Sequence, residues 1–114
     1  MKISHYKDVV AEEAKEEGAS KLKVRWLITK EMGAPNFAMR LFEMEPGGCS
    51  PLHAHPWEHE VFIIEGKGIV ICEGKEKKVS VGDAILILPN ELHQFKNVGK
   101  KPLKFLCLVP HHTK

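Results

Sequence analysis

The sequence predicts a single all-β domain, and three observations agree on it. Short apolar and β-branched runs recur along the chain, among them residues 22–28, 84–88 and 103–109. Turn signals rich in Gly, Pro and Asn separate these runs roughly every ten residues, a spacing typical of β-sandwiches and barrels. A length of 114 residues suits one domain with a core of ordinary size, which we expect to span residues 1–114.

The first segment is the one place where a helix is expected. Residues 9–18 are rich in Ala and Glu, which favour helix, and Gly18 stands where such a helix would end. The two valines that open the segment are alternatively the end of a strand. Either reading leaves the β-rich remainder of the chain unchanged.

The rest of the chain predicts strands. Apolar runs bounded by turn residues lie at 22–28, 37–44, 60–64, 69–72, 78–81, 84–88, 92–95 and 103–109. Pro46-Gly47-Gly48, Gly66-Lys67-Gly68 and Glu73-Gly74-Lys75 are typical turn sequences between them. The sequence contains no internal repeat, phosphate-binding glycine loop or GxSxG motif.

Composition argues against several classes of partner. The formal net charge is +2, and the 28% of residues that are charged carry both signs in mixed order, so we expect no nucleic-acid partner. No apolar run approaches the roughly 20 residues that a membrane span needs. The first eight residues are too polar for a secretory signal. We therefore expect neither a membrane partner nor secretion.

The cysteines indicate a reducing compartment. There are three of them, Cys49, Cys72 and Cys107, and none forms a CxxC pair, which makes a structural thiolate site improbable. The expected location is the cytoplasm. The heavy use of Glu and Lys, with a single glutamine at Gln94, is typical of thermophile proteins.

Four histidines carry the main functional signal. His53, His55 and His59 lie at even spacing, so on an extended backbone their side chains share one face of a sheet. His93 follows two strand-like runs later. Neutral imidazole is the commonest protein ligand of transition metals. A lone histidine is more often exposed or hydrogen-bonded, but four at this spacing predict a metal site.

The other three histidines lack this spacing. His5, His111 and His112 lie near the termini. We expect them to be exposed to solvent and to have no role.

The first histidine segment resembles the first motif of the cupin superfamily, G(X)5HXH(X)3,4E(X)6G. Gly47 precedes His53 by six positions, and His53-Ala54-His55 supplies the HXH element. His59 occupies the position of the usual glutamate, and Gly66 closes the motif over residues 47–66.

The second segment resembles the second cupin motif, G(X)5PXG(X)2H(X)3N, over residues 82–97. Gly82, His93 and Asn97 match its first glycine, its histidine and its asparagine. Leu88 and Asn90 replace its proline and second glycine. From the first residue of one to the last of the other, the two motifs span residues 47–97, nearly half of the chain.

The resemblance implies a single-domain cupin jelly-roll β-barrel with one divalent transition metal in its mouth, held by His53, His55, His59 and His93. A histidine in place of the glutamate makes this ligand set neutral. Glu60 is adjacent but has the opposite strand parity, so it is a reserve ligand only if a bulge shifts the register. The sequence HPWEHE is similar to that of small thermophile cupins with four-histidine manganese sites. Small cupins commonly pair through N-terminal strands, so a homodimer through residues 1–8 and 22–29 is implied as well.

The chemistry of the ligands narrows the choice of metal. Four nitrogens disfavour magnesium and calcium, which prefer oxygen. Intrinsic affinity favours nickel, copper and zinc over manganese and iron, whereas the resemblance implies manganese first and iron second. An octahedral metal with four protein ligands keeps two positions for water, dioxygen or substrate, whereas a tetrahedral zinc would be closed and structural.

Further residues are candidates for the lining of the pocket. Trp57 is either a pocket wall or a contact at the barrel rim or with a dimer partner. Arg40 either faces inward, where it needs an anion such as a substrate carboxylate, or is exposed. Phe105 and Cys107 belong to the core or to the pocket wall, and a thiol there is at risk of oxidation.

The leading functional expectation is a metal-dependent oxidoreductase, dioxygenase-like, that acts on a small organic molecule. The sequence does not assign its catalytic residues; Glu60 and Arg40 are candidates, and Glu58 is a weaker one. One alternative is a metal-dependent isomerase or lyase for a sugar or keto acid, which needs an acid or base in the pocket. The other is a small-molecule-binding cupin without enzymatic activity. The fold alone does not decide among them.

Overall fold

A computed structural model describes residues 1–111 of the chain. Two three-residue 3₁₀ helices occupy Tyr6–Asp8 and Lys30–Met32. The nine strands are β1 Glu12–Glu13, β2 Ser20–Ile28, β3 Phe37–Cys49, β4 His59–Glu65, β5 Lys67–Cys72, β6 Lys75–Ser80, β7 Ala84–Ile87, β8 His93–Lys96 and β9 Leu103–Pro110. The predicted all-β class is therefore confirmed.

The strands form one curled antiparallel sheet. Its order is β6-β5-β8-β3-β9-β4-β7, and β2 lies on the other edge of β3, where it also pairs with β1. Most neighbours are distant in sequence, as expected for a jelly roll. Strand β3 pairs with β9 from Phe37 to Met44, and its last residue, Cys49, pairs with Lys96 of β8.

Strict alternation along the strands builds the core. In β9 the odd-numbered residues are buried and the even-numbered ones are half-buried; in β4 His59, Val61 and Ile63 point inward. Met44, Ile63 and Leu103 are completely buried in the hydrophobic core. This alternation matters for function because it decides which face of β4 the functional side chains occupy.

Two residues of the cupin-like motifs have structural roles. The buried Asn97 side chain donates to the carbonyls of Met44 and Lys101, both at 2.9 Å, and accepts from the Gly99 amide. Gly66 has a φ of +83° at the β4–β5 turn, where the chain passes close to Pro102. These residues hold the sheet around the histidines without belonging to the site.

The expected helix over residues 9–18 is wrong. Glu12 and Glu13 instead form β1, which pairs with Val24 and Lys23 of β2. The reason is tertiary. A segment this short is only marginally helical by itself. Arg25 of β2 donates to the carbonyl of Tyr6, just before the segment, and to that of Val9, its first residue. None of the helices among residues 1–111 has the length and apolar character needed to cross a membrane.

Candidate metal centre

Three of the four histidines lie close together where the loop before β4 meets the start of β8. His53 lies in the loop before β4, and His93 begins β8. Their backbones form an isolated antiparallel bridge, with reciprocal N–H···O bonds of 3.1 and 3.0 Å. His55 follows His53 at the same parity. One ring nitrogen from each of His53, His55 and His93 lies within 4.8 Å of the other two.

This spacing suits one metal ion. At a metal–nitrogen distance of about 2.1 Å, two opposite nitrogens lie roughly 4.2 Å apart and adjacent ones closer. The three ring nitrogens, each within 4.8 Å of the other two, lie close to this range, and rotation of the rings would bring them to one ion.

The protein also orients two of these rings. His93 donates its Nδ1 hydrogen to the Glu91 carbonyl at 2.8 Å, and His55 donates its own to the Trp57 carbonyl at 3.3 Å. A carbonyl oxygen only accepts, so both rings carry their proton on Nδ1 and keep the Nε2 lone pair free. This second layer of hydrogen bonds is what metal-binding histidines normally have.

The Nε2 atom of His55 provides a direct test of the fit. It is buried and has no hydrogen-bond partner among residues 1–111. A buried unpaired polar atom costs free energy unless something binds it. A metal ion satisfies this lone pair, so the residues present fit a metal.

His59 is arranged differently from the other three. It lies at the start of β4 and is 8% exposed, but it is not part of the close group of three. Its ring stacks on His55 with centroids 4.2 Å apart and planes 12° apart, and its Nδ1 lies 3.3 Å from Cys107 Sγ. Since imidazole binds metals in its ring plane, two stacked rings do not bind one ion without tilting. Ligation by His59 therefore needs a ring rotation.

Burial favours the neutral form of three of these histidines. Desolvation lowers the pKa of His59 to about 2, and the pKa values of His53 and His55 are also lowered, first by desolvation. The positive charge of Arg40 contributes in the same direction at all three. His53, His55 and His59 are therefore held in the neutral form that binds metals.

An open cleft of about 880 Å³ leads to these residues. His53, His55 and His59 line it together with Arg40, Trp57 and Trp26. Trp57 stacks on the His55 ring, with centroids 4.6 Å apart. A smaller inner cavity of about 40 Å³ lies deeper, lined by Arg40, His93, Phe105 and Cys107 among others. Every pocket-lining residue expected from the sequence thus contacts one of the two spaces.

The two glutamates expected near the site lie elsewhere. Glu58 and Glu60 are exposed and line a separate groove on the outer face with Phe37 and Leu108. Glu60 pairs with Leu86 and Leu108 in regular register, so no bulge turns it inward as a ligand.

Sequence reasoning missed several residues of the cleft, among them Glu16, Trp26 and His111. Glu16 lies in the segment expected to be helical and acts electrostatically on His53. His111 is half-buried rather than exposed, and its ring bonds the Ala34 carbonyl at 2.7 Å. His5 caps the first 3₁₀ helix by accepting from the Lys7 amide, and His112 lies outside the described residues. No spacing signal connects Glu16 or Trp26 to the histidine motifs.

Comparison with known proteins identifies the family of this chain. The chain matches the family model for the cupin domain over residues 40–109. The oxalate-binding protein of Thermotoga maritima is 30% identical over 96 residues, which cover 81% of this chain and 78% of that protein. The 1-methylthio-D-xylulose 5-phosphate methylsulfurylase of Rhodospirillum rubrum is 35% identical over 71 residues, 62% of this chain and 46% of that protein.

A solved structure is similar over nearly the whole chain. The polyketide cyclase RemF from Streptomyces resistomycificus superposes with a TM-score of 0.91 at 37% identity, covering 96% of this chain and 79% of that one. The chain spans about half the length of most curated relatives it matches, from 46% to 56%. The family match, the antiparallel jelly roll and the histidine cluster in its mouth agree, and this chain belongs to the cupin superfamily.

Proposed function

We propose that this cupin is a metal-dependent enzyme that acts on a small organic molecule, with oxidation by dioxygen as its leading reaction. The observation that carries the proposal is the convergence of three ring nitrogens within 4.8 Å beside an open cleft that His53 and His55 line. A closed structural site would not need that cleft.

The metal would be held by His53, His55 and His93, with His59 as the fourth ligand after its ring leaves the stack on His55. We propose manganese as the resident ion, with iron, zinc, nickel and copper as alternatives. When bound, a divalent ion supplies Lewis-acid stabilisation of negative charge that develops on a substrate oxygen.

The chain itself contributes orientation and a dry inner wall. The Glu91 and Trp57 carbonyls hold two imidazoles in the tautomer that binds metal. Phe105 and Cys107, 3% and 2% exposed, close the inner side of the site against water. Such a wall strengthens the electrostatic interactions within the site.

The relatives support a small-molecule substrate. Those described above are named for binding oxalate, for a methylsulfurylase reaction and for polyketide cyclisation. These names differ in chemistry, so we propose a reaction class and not the reaction of any one relative.

The proposal is tested by metal content and oxygen uptake. Protein purified without a metal-affinity tag should contain one equivalent of manganese or iron by elemental analysis. Oxygen uptake with a panel of organic acids and diketones should then exceed background for loaded protein and not for metal-free protein. Absence of any transition metal, even after reconstitution, would contradict metal dependence.

A second candidate is non-redox chemistry, such as a metal-dependent isomerase or lyase reaction. The observation that favours it is Glu16, a carboxylate that lines the same cleft and interacts with His53, since a positioned carboxylate can act as a general acid or base. Turnover that persists without oxygen would favour this candidate. A metal-loaded protein that binds ligands but turns over none of them would indicate a binding cupin.

We further propose that the chain forms a homodimer through its N-terminal segment and β2. Ile3 and Ile28 are 88% and 41% exposed, and a groove of about 460 Å³ lies between these two segments. Sedimentation velocity in the micromolar range should give about twice the 12.9 kDa chain mass. Ile3→Glu combined with Ile28→Glu should shift it to the monomer, because burying a carboxylate without a partner is costly. A monomer at every concentration would refute the dimer.

The three unpaired thiols support a reducing location. Cys49, Cys72 and Cys107 are all free, and Cys107 is buried. We propose the cytoplasm on this basis.

A further inference from the structure

Arg40 is placed inside the barrel, next to the histidines. It lies on β3, opposite Trp26 of β2 on one side and Cys107 of β9 on the other. It lines both the cleft and the inner cavity, each of which also contacts His53 and His59. A permanent positive charge therefore faces the candidate metal centre.

The guanidinium group of Arg40 has flat, uncharged neighbours. Its central carbon lies 4.9 Å from the Phe42 ring and 5.4 Å from the Trp26 ring. Its Nη2 donates to Cys107 Sγ at 3.1 Å. A cysteine sulfur is only a weak acceptor, so this contact does not neutralise the charge of the guanidinium group.

Arg40 also lacks an anionic partner. Within residues 1–111 the ion pairs are Arg25 with Glu43 and Lys104 with Glu65, so no carboxylate pairs with Arg40. Its Nε is buried and has no hydrogen-bond partner in that part of the chain. The aromatic faces compensate for part of this unpaired charge, but the buried Nε hydrogen is left without an acceptor in that part of the chain.

A bound metal increases the need for an anion. Histidine ligands are neutral, so a divalent ion adds two positive charges to a space that already contains one. A cation of this size dominates the local electrostatics. Glu12 and Glu31 line only the outer cleft, whereas Glu16 also borders the inner cavity. All three are exposed residues, and none forms an ion pair with Arg40 within residues 1–111.

We infer that Arg40 binds the carboxylate group of an organic acid substrate. A second oxygen-bearing group of the same substrate then lies at the candidate metal centre. A planar guanidinium matches a carboxylate through two parallel hydrogen bonds. The class of substrate is thus a dicarboxylate, a 2-oxo acid or a hydroxy acid. This inference rests on the proposed function, because it uses the same cleft and the same metal centre.

The test is a titration of oxalate into manganese-loaded protein, followed by calorimetry and by tryptophan fluorescence. Arg40→Gln should weaken oxalate binding about 10- to 150-fold, since charged hydrogen bonds of this kind contribute strongly. Arg40→Lys keeps the charge without the fork and should fall between Gln and wild type. It also serves as the folding control if the glutamine variant melts early.

The matched control is Lys30→Gln. Lys30 is an exposed cation that lines the same cleft, so its loss removes the same charge from a solvated position. Its effect on oxalate binding should be at most about fivefold. An equal loss in the Lys30 and Arg40 variants would mean a general charge effect and would overturn the assignment.

Metal content, measured on every sample, separates the two proposals. Wild type and Arg40→Gln should contain the same amount of manganese. If wild type holds no metal, the proposed function fails, and the inference is then decided by whether metal-free protein binds oxalate with the same loss in Arg40→Gln. Oxalate affinity unchanged in Arg40→Gln, or no oxalate binding by either form of wild type, would overturn the inference.

Discussion

Replacing His93 with alanine should weaken metal binding at least about 100-fold, because loss of an outer hydrogen-bond partner alone costs 10- to 100-fold. His93 is 2% exposed and contributes one of the three nitrogens within 4.8 Å of one another. Its ring is fixed by the Glu91 carbonyl at 2.8 Å. The expected result is loss of bound metal after dialysis against a weak chelator, measured by elemental analysis.

Two further variants make the result specific. His5→Ala removes a histidine that only caps a 3₁₀ helix and should leave the metal content unchanged. If His59 leaves its stack on His55 and binds the ion, His59→Ala should lose as much bound metal as His93→Ala. If His59 stays stacked on His55 with its Nδ1 at Cys107, the loss of bound metal should be much smaller. Folding of each variant is checked on metal-free protein by its melting temperature. A folded His93→Ala protein with wild-type metal content would refute the three-histidine centre.

Replacing Gly66 with alanine should destabilise the domain by about 2–5 kcal/mol, which adds the cost of a left-handed residue to that of an overpacked contact. Gly66 has a φ of +83°, and a Cβ there would overlap the Pro102 carbonyl oxygen and lie 3.1 Å from Leu103 Cα. Both contacts are with backbone, which cannot rotate away. The melting temperature should fall by roughly 10 °C or more.

Gly74→Ala is the matched control for this prediction. Gly74 has a similar φ of +79°, but a Cβ there meets no atom within 4 Å. It should cost only the conformational term of about 1–2 kcal/mol. Equal losses of stability in the two variants would show that the close approach of the β4–β5 turn to Pro102 is not the reason why position 66 needs a glycine.

The sequence contained the fold class in its local pattern. Alternation in runs such as 103–109 depends on each residue and its near neighbours, and the structure repeats it residue by residue. The HXH spacing likewise brings His53 and His55 to one side of a short extended loop. His93 was grouped with them as the fourth histidine of a predicted metal site, and the motif resemblance over residues 47–97 gave the same grouping. The family itself is confirmed by the match over residues 40–109.

Only the tertiary structure decided the surroundings of these histidines. Whether Arg40 faces inward depends on the pairing of β3 with β9, which sets it opposite Cys107. The stack of His59 on His55 depends on where β4 begins relative to the preceding loop. Residues 9–18 carry local helix preference, yet pairing with β2 outweighs it. Local preferences amount to a fraction of a kilocalorie per residue, whereas long-range pairing and burial contribute more, so these features were not readable from the sequence alone.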